Sequence, residues 1–423
     1  MGVKTMLIIH PQWPPSNLVG THRVRLIANE LQDLGWAALV LTIDERDYEE
    51  PLASETLKLV SPNVEVIRVR ARPVARVFGK RLVGDVSLRG WKALKRKASE
   101  LMESREIAFT WFSLPPWYTS LMGYQLKKQF GTPFGIDYRD PWVYELAEHQ
   151  KGLNRAQATL LSARILEPLA LRGIGLISGV SEGYLQGVIT RNKKARLAPK
   201  VTFQMGFSKR DHFIDLPDFK PSFDPGKRTF VYAGAHWALG APLFTIWLQA
   251  LAKLHKSKPL KGIEFLFIGT GNPELKSIQT QAEELGIQGV VREIPERISY
   301  LEVQKSLRKC EGALVIGSVE PHYSSSKLFQ CLITTPRVFG FFHEESEGRG
   351  VLRECNADAF YVPYHPSKKI SELHKTLEKR ISNFINPQAT WEANLKPLEQ
   401  YSTQNNAKHF IAAVERVIED LKK

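Results

Sequence analysis

Residues 312–332, GALVIGSVEPHYSSSKLFQCL, gather hydroxyls and a cation where a chain can hold an anion. An apolar strand ending near Val319 leads through a polar turn to three serines and Lys327, and a helix starts near Leu328. The first turn of a helix presents unpaired N–H groups and partial positive charge. Serine hydroxyls add donors and Lys327 a full charge, which together make a cradle for a diphosphate. The plain alternative is a serine that only caps its helix, but a cap needs one serine rather than three and a lysine. Glu320, Tyr323, Ser325, Ser326, Lys327, Leu328 and Gln330 are the candidate contacts of this segment.

Four further segments carry chemistry. Residues 113–142, SLPPWYTSLMGYQLKKQFGTPFGIDYRDPW, place Asp137, Arg139 and Asp140 where a strand ends, the position of ligand contacts in open parallel sheets. A structural ion pair steadying the loop is the competing reading. The first loop, PQWPPSNLVGTHRVRLIANEL, offers Gly20 for close backbone approach and Arg23 to meet negative charge. In FVYAGAHWALGAP, residues 230–242, a strand runs into a turn at Gly234, followed by His236, which is either a helper of Lys327 or a loop histidine without function. FLFIGTGN, residues 265–272, adds a strand and the turn Gly269-x-Gly271. No H-E-x-x-H or D-x-D spacing occurs, so no metal site is expected, and no G-x-S-x-G elbow supports a serine hydrolase.

The elements that must position these residues alternate strand and helix. The hydrophobic pattern predicts a strand at 4–10, a helix at 24–34 and a strand at 37–42, one parallel β-α-β unit. A strand at 107–111, a helix at 118–129 and a strand at 133–137 continue it. Residues 215–228, DLPDFKPSFDPGKR, lack apolar periodicity and read as a linker. The alternation then resumes: strands at 229–233, 263–268, 290–292 and 313–316, with helices at 243–254 and ending near Leu285. The expected organisation is α/β, with two doubly wound halves over 1–213 and 229–390 joined by 214–228. A helical tail, 391–423, needs a surface for Phe410, Val414, Val417 and Leu421.

With 423 residues, 43% of them apolar, the chain is long enough for two cores. Three cysteines without C-x-x-C spacing and a short apolar start point to a reducing, cytoplasmic setting. The net charge of +14 suggests an acidic partner. Between residues 68 and 97 stand eleven Lys or Arg against one acid, Asp85. There Trp91, Leu94, Ala98 and Leu101 form an apolar stripe beside Lys92, Lys95, Arg96 and Lys97. Residues 68–102 therefore read either as a helix on an anionic membrane surface or as one packed on its own domain. The stretch lacks the interleaved aromatic residues of a nucleic-acid platform, so no nucleic acid is expected.

YSSSKLFQCLITTPRV resembles the donor-binding motif of retaining glycosyltransferases of family 4, in which a turn, Ser-Lys, Leu, an aromatic residue and an acid open a helix. Residues 113–142 are similar to a segment of that family ending in Asp-aromatic-Arg-Asp-Pro-Trp, the most specific match. The likeness runs through the first loop, GVSEGYL at 179–185 and MGFS at 205–208 to the last helix. It implies the GT-B fold: two Rossmann-like domains facing a cleft, with the tail crossing back to the first. It also implies sugar transfer from a nucleotide-diphosphate sugar to a glycan or lipid-linked acceptor, with retention and without metal, in cell-surface polysaccharide or glycolipid assembly at the inner face of a membrane. Lys327 and the amides of Ser325 and Ser326 would then stabilise the leaving diphosphate, and Arg139 and Asp140 would orient donor sugar or acceptor. Gly20, Gly234, His236, Gly269, Gly271, Glu320, Tyr323, Leu328 and Gln330 would complete the donor site. The sequence departs from the family at four places. His322 and Gln330 replace its paired acids, Ala235 and His236 its basic pair, and Ser208 the acid of Gly-Phe-Asp. These departures keep open a non-catalytic binding protein, and a nucleotide-sugar epimerase is the rival enzyme.

Overall fold

A computed structural model describes residues 2–77, 80–81, 84–144, 154–215, 219–321, 323, 325 and 327–422. It divides into two units, Met1–Met205 with Thr403–Lys423, and Gly206–Ser402.

The first unit is built on β1 (Lys4–Ile9), β2 (Trp36–Ile43) and β3 (Val64–Val69), followed after a short antiparallel pair, β4 (Arg76–Val77) and β5 (Lys80–Arg81), by β6 (Ile107–Leu114), β7 (Phe134–Tyr138), β8 (Leu176–Gly179) and β9 (Lys200–Thr202). Its parallel sheet has the order β3-β2-β1-β6-β7-β8-β9. Side chains alternate across β1. Met6 and Ile8 join one buried cluster with Val24 and Ile27 of α1 (Val19–Glu30). Leu7 and Ile9 join the other with Leu94, Ala98 and Leu101 of α2 (Val86–Ser104). The apolar stripe of α2 is therefore spent on the domain's own core, with Trp91 partly buried against it and Asp85 capping the helix start. α3 (Gly123–Phe130), α4 (Arg155–Ala170) and α5 (Glu182–Arg191) complete this part.

In the second unit α6 (Lys209–Phe213) precedes β10 (Arg228–Ala233), α7 (Ala241–Ser257), β11 (Ile263–Ile268), α8 (Ile278–Glu284), β12 (Val291–Ile294), α9 (Tyr300–Lys309) and β13 (Gly312–Ile316). There follow α10 (Lys327–Thr334), β14 (Val338–His343), α11 (Glu347–Glu354), β15 (Tyr361–Tyr364) and α12 (Ile370–Ile385). The sheet is again wholly parallel, β12-β11-β10-β13-β14-β15. Phe230 and Tyr232 face the cluster that holds α7 and α12, and Val231 faces the one that holds α10. Strand order reverses between β1 and β6 in one sheet and between β10 and β13 in the other. At such switch points adjacent loops part in opposite directions and leave a crevice at the strand ends.

The chain returns to the first unit through α13 (Thr403–Asp420), whose Phe410, Val414 and Val417 pack with α1, β6 and β9, while Leu421 lies beyond it and is exposed. The unit boundaries differ from the sequence reading. The chain enters the second unit at Gly206, not after 213, because α6 packs on α9: His212 Nδ1 lies 2.6 Å from Gln304 Oε1, and Arg308 stacks on Phe213. Residues 391–402 also stay with the second unit, held by Trp391 Nε1 on the Ala357 carbonyl and by Tyr401 against Phe329. Of the expected linker, residues 219–228 lie on that unit with Phe223 against its core, and Asp215 is 3.4 Å from Lys305. Among the described residues no helix is long and apolar enough to cross a membrane.

Candidate active site

In the second unit the switch point is occupied by Lys327, the first residue of α10. Its Nζ donates to Tyr232 Oη at 2.7 Å and lies 4.5 Å from the Tyr232 ring centre and 5.5 Å from that of Trp237. No ion pair joins it to a described carboxylate. Two aromatic faces and a hydroxyl stabilise an ammonium only in part, and burial, helped by the positive charge of Arg297, pushes Lys327 down to about 8. The lysine reaches this place because Gly234 lacks a side chain: a Cβ there would overlap Lys327 Cε and Nζ, and the backbone stands at φ +148°.

The loop before α10 is anchored at both ends. Ser346, which caps α11, donates through Oγ to the Tyr323 carbonyl at 2.8 Å, and the Tyr323 ring lies 5.3 Å from Trp237. Ser325 is buried, accepts the Leu328 amide on its carbonyl, and has an Oγ without a hydrogen-bond partner among the described residues. Leu328 is fully in the core and fixes the start of α10. Glu320 is exposed, its amide held by Ser318 Oγ at 3.0 Å. Gly269, at φ +75°, lies beside Arg297, and Gly271 packs on Pro295, so this turn sits against the loop that follows β12. The arrangement puts a cation, a free hydroxyl and a helix start together, the requirement for holding a phosphate.

Two candidate residues are turned to other tasks. The His236 ring packs on Phe244 and lines a cavity of 310 Å³ with Thr245, Gln249, Gln281 and Glu284, between α7 and α8; Trp237, the next residue, meets Lys327 instead. Burial pushes His236 below the usual histidine range, so its ring is neutral near pH 7. Gln330 Oε1, expected to contribute to the donor site, accepts from Gln304 Nε2 at 3.2 Å, and Gln304 in turn meets His212. Ser326, and His322 at the other position of the family's acid pair, lie outside the described residues.

In the first unit the expected ligand contacts separate into a structural pair and an incomplete one. Arg23 does not wait for an external anion. Its Nε and Nη2 donate to Asp137 Oδ2 and Oδ1 at 2.7 and 2.8 Å, and its Nη1 to the Phe203 carbonyl at 3.0 Å. Ser113 and Ser178 donate to the same carboxylate at 2.9 and 2.8 Å, and both charged side chains are buried. Burial opposes the charge on Asp137, but Arg23 and the two serines outweigh it and hold the carboxyl below its usual range. Arg139 is less satisfied. It pairs with the half-exposed Asp140 at 3.5 Å, while its buried Nη1 lacks a hydrogen-bond partner and fills the space where a Gly20 side chain would stand. Gly20 lies in the first turn of α1, which begins five residues before the predicted start. His10, at the end of β1, is neutral: burial pushes it down to about 4, and the Arg139 charge contributes.

The structure thus brings Gly234, Tyr323, Ser325 and Lys327 together, and Gly20 with Arg139 and Asp140. Sequence reasoning missed Tyr232, Trp237, Arg297 and His10. His10 is the last residue of a predicted strand, a signal that the sequence carries, whereas Arg297 lies five residues beyond the predicted strand at 290–292. Tyr232 and Trp237 were visible only as apolar residues near a glycine turn. Among the described residues no group of three or more His, Cys, Asp or Glu side chains is placed to hold a metal ion.

No family model matches the chain. In sequence it is 29% identical over 133 residues to one component of the light-independent protochlorophyllide reductase of Prochlorococcus marinus, an alignment that spans 30% of this chain and only 22% of that protein. Solved structures match throughout. A glycosyltransferase from Rickettsia africae superposes with a TM-score of 0.59 at 12% identity, covering 99% of this chain and 98% of that one. A UDP-forming α,α-trehalose-phosphate synthase from Burkholderia xenovorans gives 0.62 at 10% identity, covering 99% of each. A putative UDP-N-acetylglucosamine 2-epimerase from Listeria monocytogenes gives 0.54 at 10% identity, over 99% and 98%. At such identities the likeness is one of fold, and folds host more than one chemistry. With two wholly parallel sheets and a last helix that returns to the first, the chain has the two-unit α/β fold of the GT-B class.

Proposed function

We propose that the chain is a glycosyltransferase that moves a sugar from a nucleotide-diphosphate sugar to a glycan or lipid-linked acceptor, with retention and without a catalytic metal, in the assembly of cell-surface polysaccharide or glycolipid. The observation that carries this reading is Lys327: an ammonium at a helix start, at the switch point of its sheet, bound to no described carboxylate and lodged against a glycine. A bound diphosphate would supply the missing negative charge. The matching folds include a glycosyltransferase and a UDP-forming synthase, which supports UDP as the first nucleotide to try.

Breaking the bond between sugar and diphosphate leaves negative charge on the leaving oxygen. Groups fixed beforehand near that oxygen lower the barrier because they bind the transition state more strongly than the ground state. Lys327 supplies the charge and Ser325 a donor, with Arg297 adding positive potential. In retention without a protein nucleophile, the leaving phosphate itself takes the acceptor's proton. Arg139 and Asp140 are assigned to orienting the donor sugar or acceptor.

A thermal-shift screen against UDP, GDP, ADP, CMP and dTDP, with and without EDTA, tests the reading. Stabilisation by one diphosphate, unchanged by EDTA, is the expected result. No stabilisation by any of them would favour a non-catalytic binding protein, the reading supported by Gln330, whose oxygen is engaged by Gln304. Conversion of the nucleotide sugar without an acceptor would instead identify an epimerase, the activity named for one matching fold.

A further inference from the structure

The second unit holds another group of cations, away from Lys327. No acid occurs from 229 to 263, a stretch that includes all of α7. On that helix Gln249, Lys253 and Lys256 stand at i, i+4 and i+7 and share one face. Together with His255 they line a cavity of 500 Å³, whose other walls include Leu285 and Ile287 beyond α8 and His374 of α12, and no carboxylate lines it. Cations in the last turn of a helix answer its negative end, which accounts for the lysines. It does not account for His374. This residue is 6% exposed, its Nδ1 accepts from Lys253 Nζ at 2.7 Å, and its Nε2 is buried without a hydrogen-bond partner among the described residues. Burial, and then the charge of Lys253, push the ring below the usual histidine range, and Glu378 on the same helix opposes them. A neutral imidazole thus fixes an ammonium while its own second nitrogen goes unbonded, an arrangement that stability alone does not favour. Neither Lys253 nor Lys256 forms an ion pair among the described residues. His255 Nδ1 accepts the Leu260 amide at 3.1 Å, so a neutral His255 keeps Nε2–H as a donor. The cavity at His236 shares Gln249 and Leu285 with this one, and the two make one groove along α7. At helical rise Lys253 lies about 18 Å along the axis from Ala241, where α7 begins after the Gly234 turn.

We propose that this groove binds a small organic phosphate monoester, with its phosphate at Lys253, Lys256 and His255 and its uncharged body along Gln249 toward His236. A phosphate monoester brings about two negative charges and three acceptor oxygens. Those match two ammonium groups and an imidazole N–H, whereas a carboxylate brings half the charge. The groove continues beyond the cations, which suits an ester rather than the free ion. The site is separate from the one at Lys327, and the proposal does not rest on the glycosyltransferase reading.

Calorimetric titration of the full-length protein tests it, in about 150 mM salt so that exposed charges are screened. The probes are glucose 6-phosphate and AMP, with glucose, adenosine and inorganic phosphate as controls. At least one ester is expected to bind, more tightly than inorganic phosphate, and the uncharged compounds are not. Lys253→Gln and Lys256→Gln are each expected to weaken that binding by roughly tenfold, the loss of one charge-assisted contact. Both lysines are exposed, so the variants should melt as the parent does. Lys327→Ala is expected to leave the binding unchanged. The proposal is overturned if neither ester binds, or if inorganic phosphate binds as tightly as both. It is overturned equally if binding survives both lysine substitutions, which would place the ester elsewhere, or if Lys92→Gln with Lys95→Gln on α2 weakens it as much, which would reduce the effect to overall charge.

Discussion

The two units solve the same local problem in different ways. Each has a glycine in the segment after its first strand, and in each a cation from a later element fills the space that the glycine leaves open: Arg139 at Gly20 and Lys327 at Gly234. In the first unit negative charge is built in. Arg23 and Asp137 satisfy each other, two serines complete the carboxylate's bonds, and Arg139 has Asp140. In the second unit the described partners of Lys327 are the Tyr232 phenol and the rings of Tyr232 and Trp237, although its burial disfavours the charge. A buried ion pair that is complete contributes to structure, and removing one member leaves an uncompensated charge. A partly buried cation that is incomplete marks a candidate binding site held at some expense of stability. By that criterion the Arg23–Asp137 network of the first unit is scaffolding, Arg139 stands between the two cases, and Lys327 is the residue proposed to meet a ligand.

The largest expected effect lies on the scaffold side. Asp137→Ala strands Arg23 in the core, and chemical denaturation should show a loss of about 3–5 kcal/mol. A loss below about 1 kcal/mol would mean that the pair is not the rigid element claimed, and the contrast would collapse. Next comes Lys327→Ala, expected to lower the turnover of sugar transfer by roughly two orders of magnitude. Near-normal turnover with the identified donor would remove Lys327 from the mechanism. Stability should move the opposite way. Below about pH 8 the fold must keep this amine charged against its burial, whereas in the unfolded chain its pKa is ordinary. Stability from this group is therefore lowest below about pH 8 and rises as pH climbs toward the unfolded value. Lys327→Met is accordingly expected to raise the melting temperature at pH 7 by about 2–4 °C.

The pH dependence of binding sharpens the same point. Affinity for the diphosphate identified by thermal shift should fall above about pH 8, where free Lys327 loses its proton, and Lys327→Arg should keep its affinity to higher pH. A parent profile flat from pH 7 to pH 10 would contradict it. The smallest effect expected is that of Gln304→Ala. It frees the Gln330 oxygen and should change diphosphate affinity by about fivefold or less, because a neutral hydrogen bond contributes only about 1 kcal/mol. A larger loss, measured by calorimetry, would bring Gln330 into the ligand site.

Much of this was legible in the chain. Strands such as 313–316 are continuous apolar runs bounded by glycines, because a parallel strand covered on both faces is apolar throughout, and that pattern needs no tertiary information. The helix start at Lys327 was readable for a similar reason: a run of serines ahead of an apolar periodic segment is a local signal. The early start of α1 was not, because no side chain caps Leu18 and the helix depends on packing. Nor was the placement of 219–228, part of a proline-rich stretch whose composition suits a linker but whose Phe223 finds a core.

The sequence by itself determined the alternation of strand and helix, the glycine turns and the grouping of serines with a lysine, since all depend on neighbours within a few residues. Only the tertiary structure decided which charges are spent. Arg23 meets Asp137 across 114 positions of sequence and Gln330 meets Gln304 across 26, while Lys327 meets no described acid. It also decided that the stripe of α2 is core. Periodicity shows that a face exists but not what covers it.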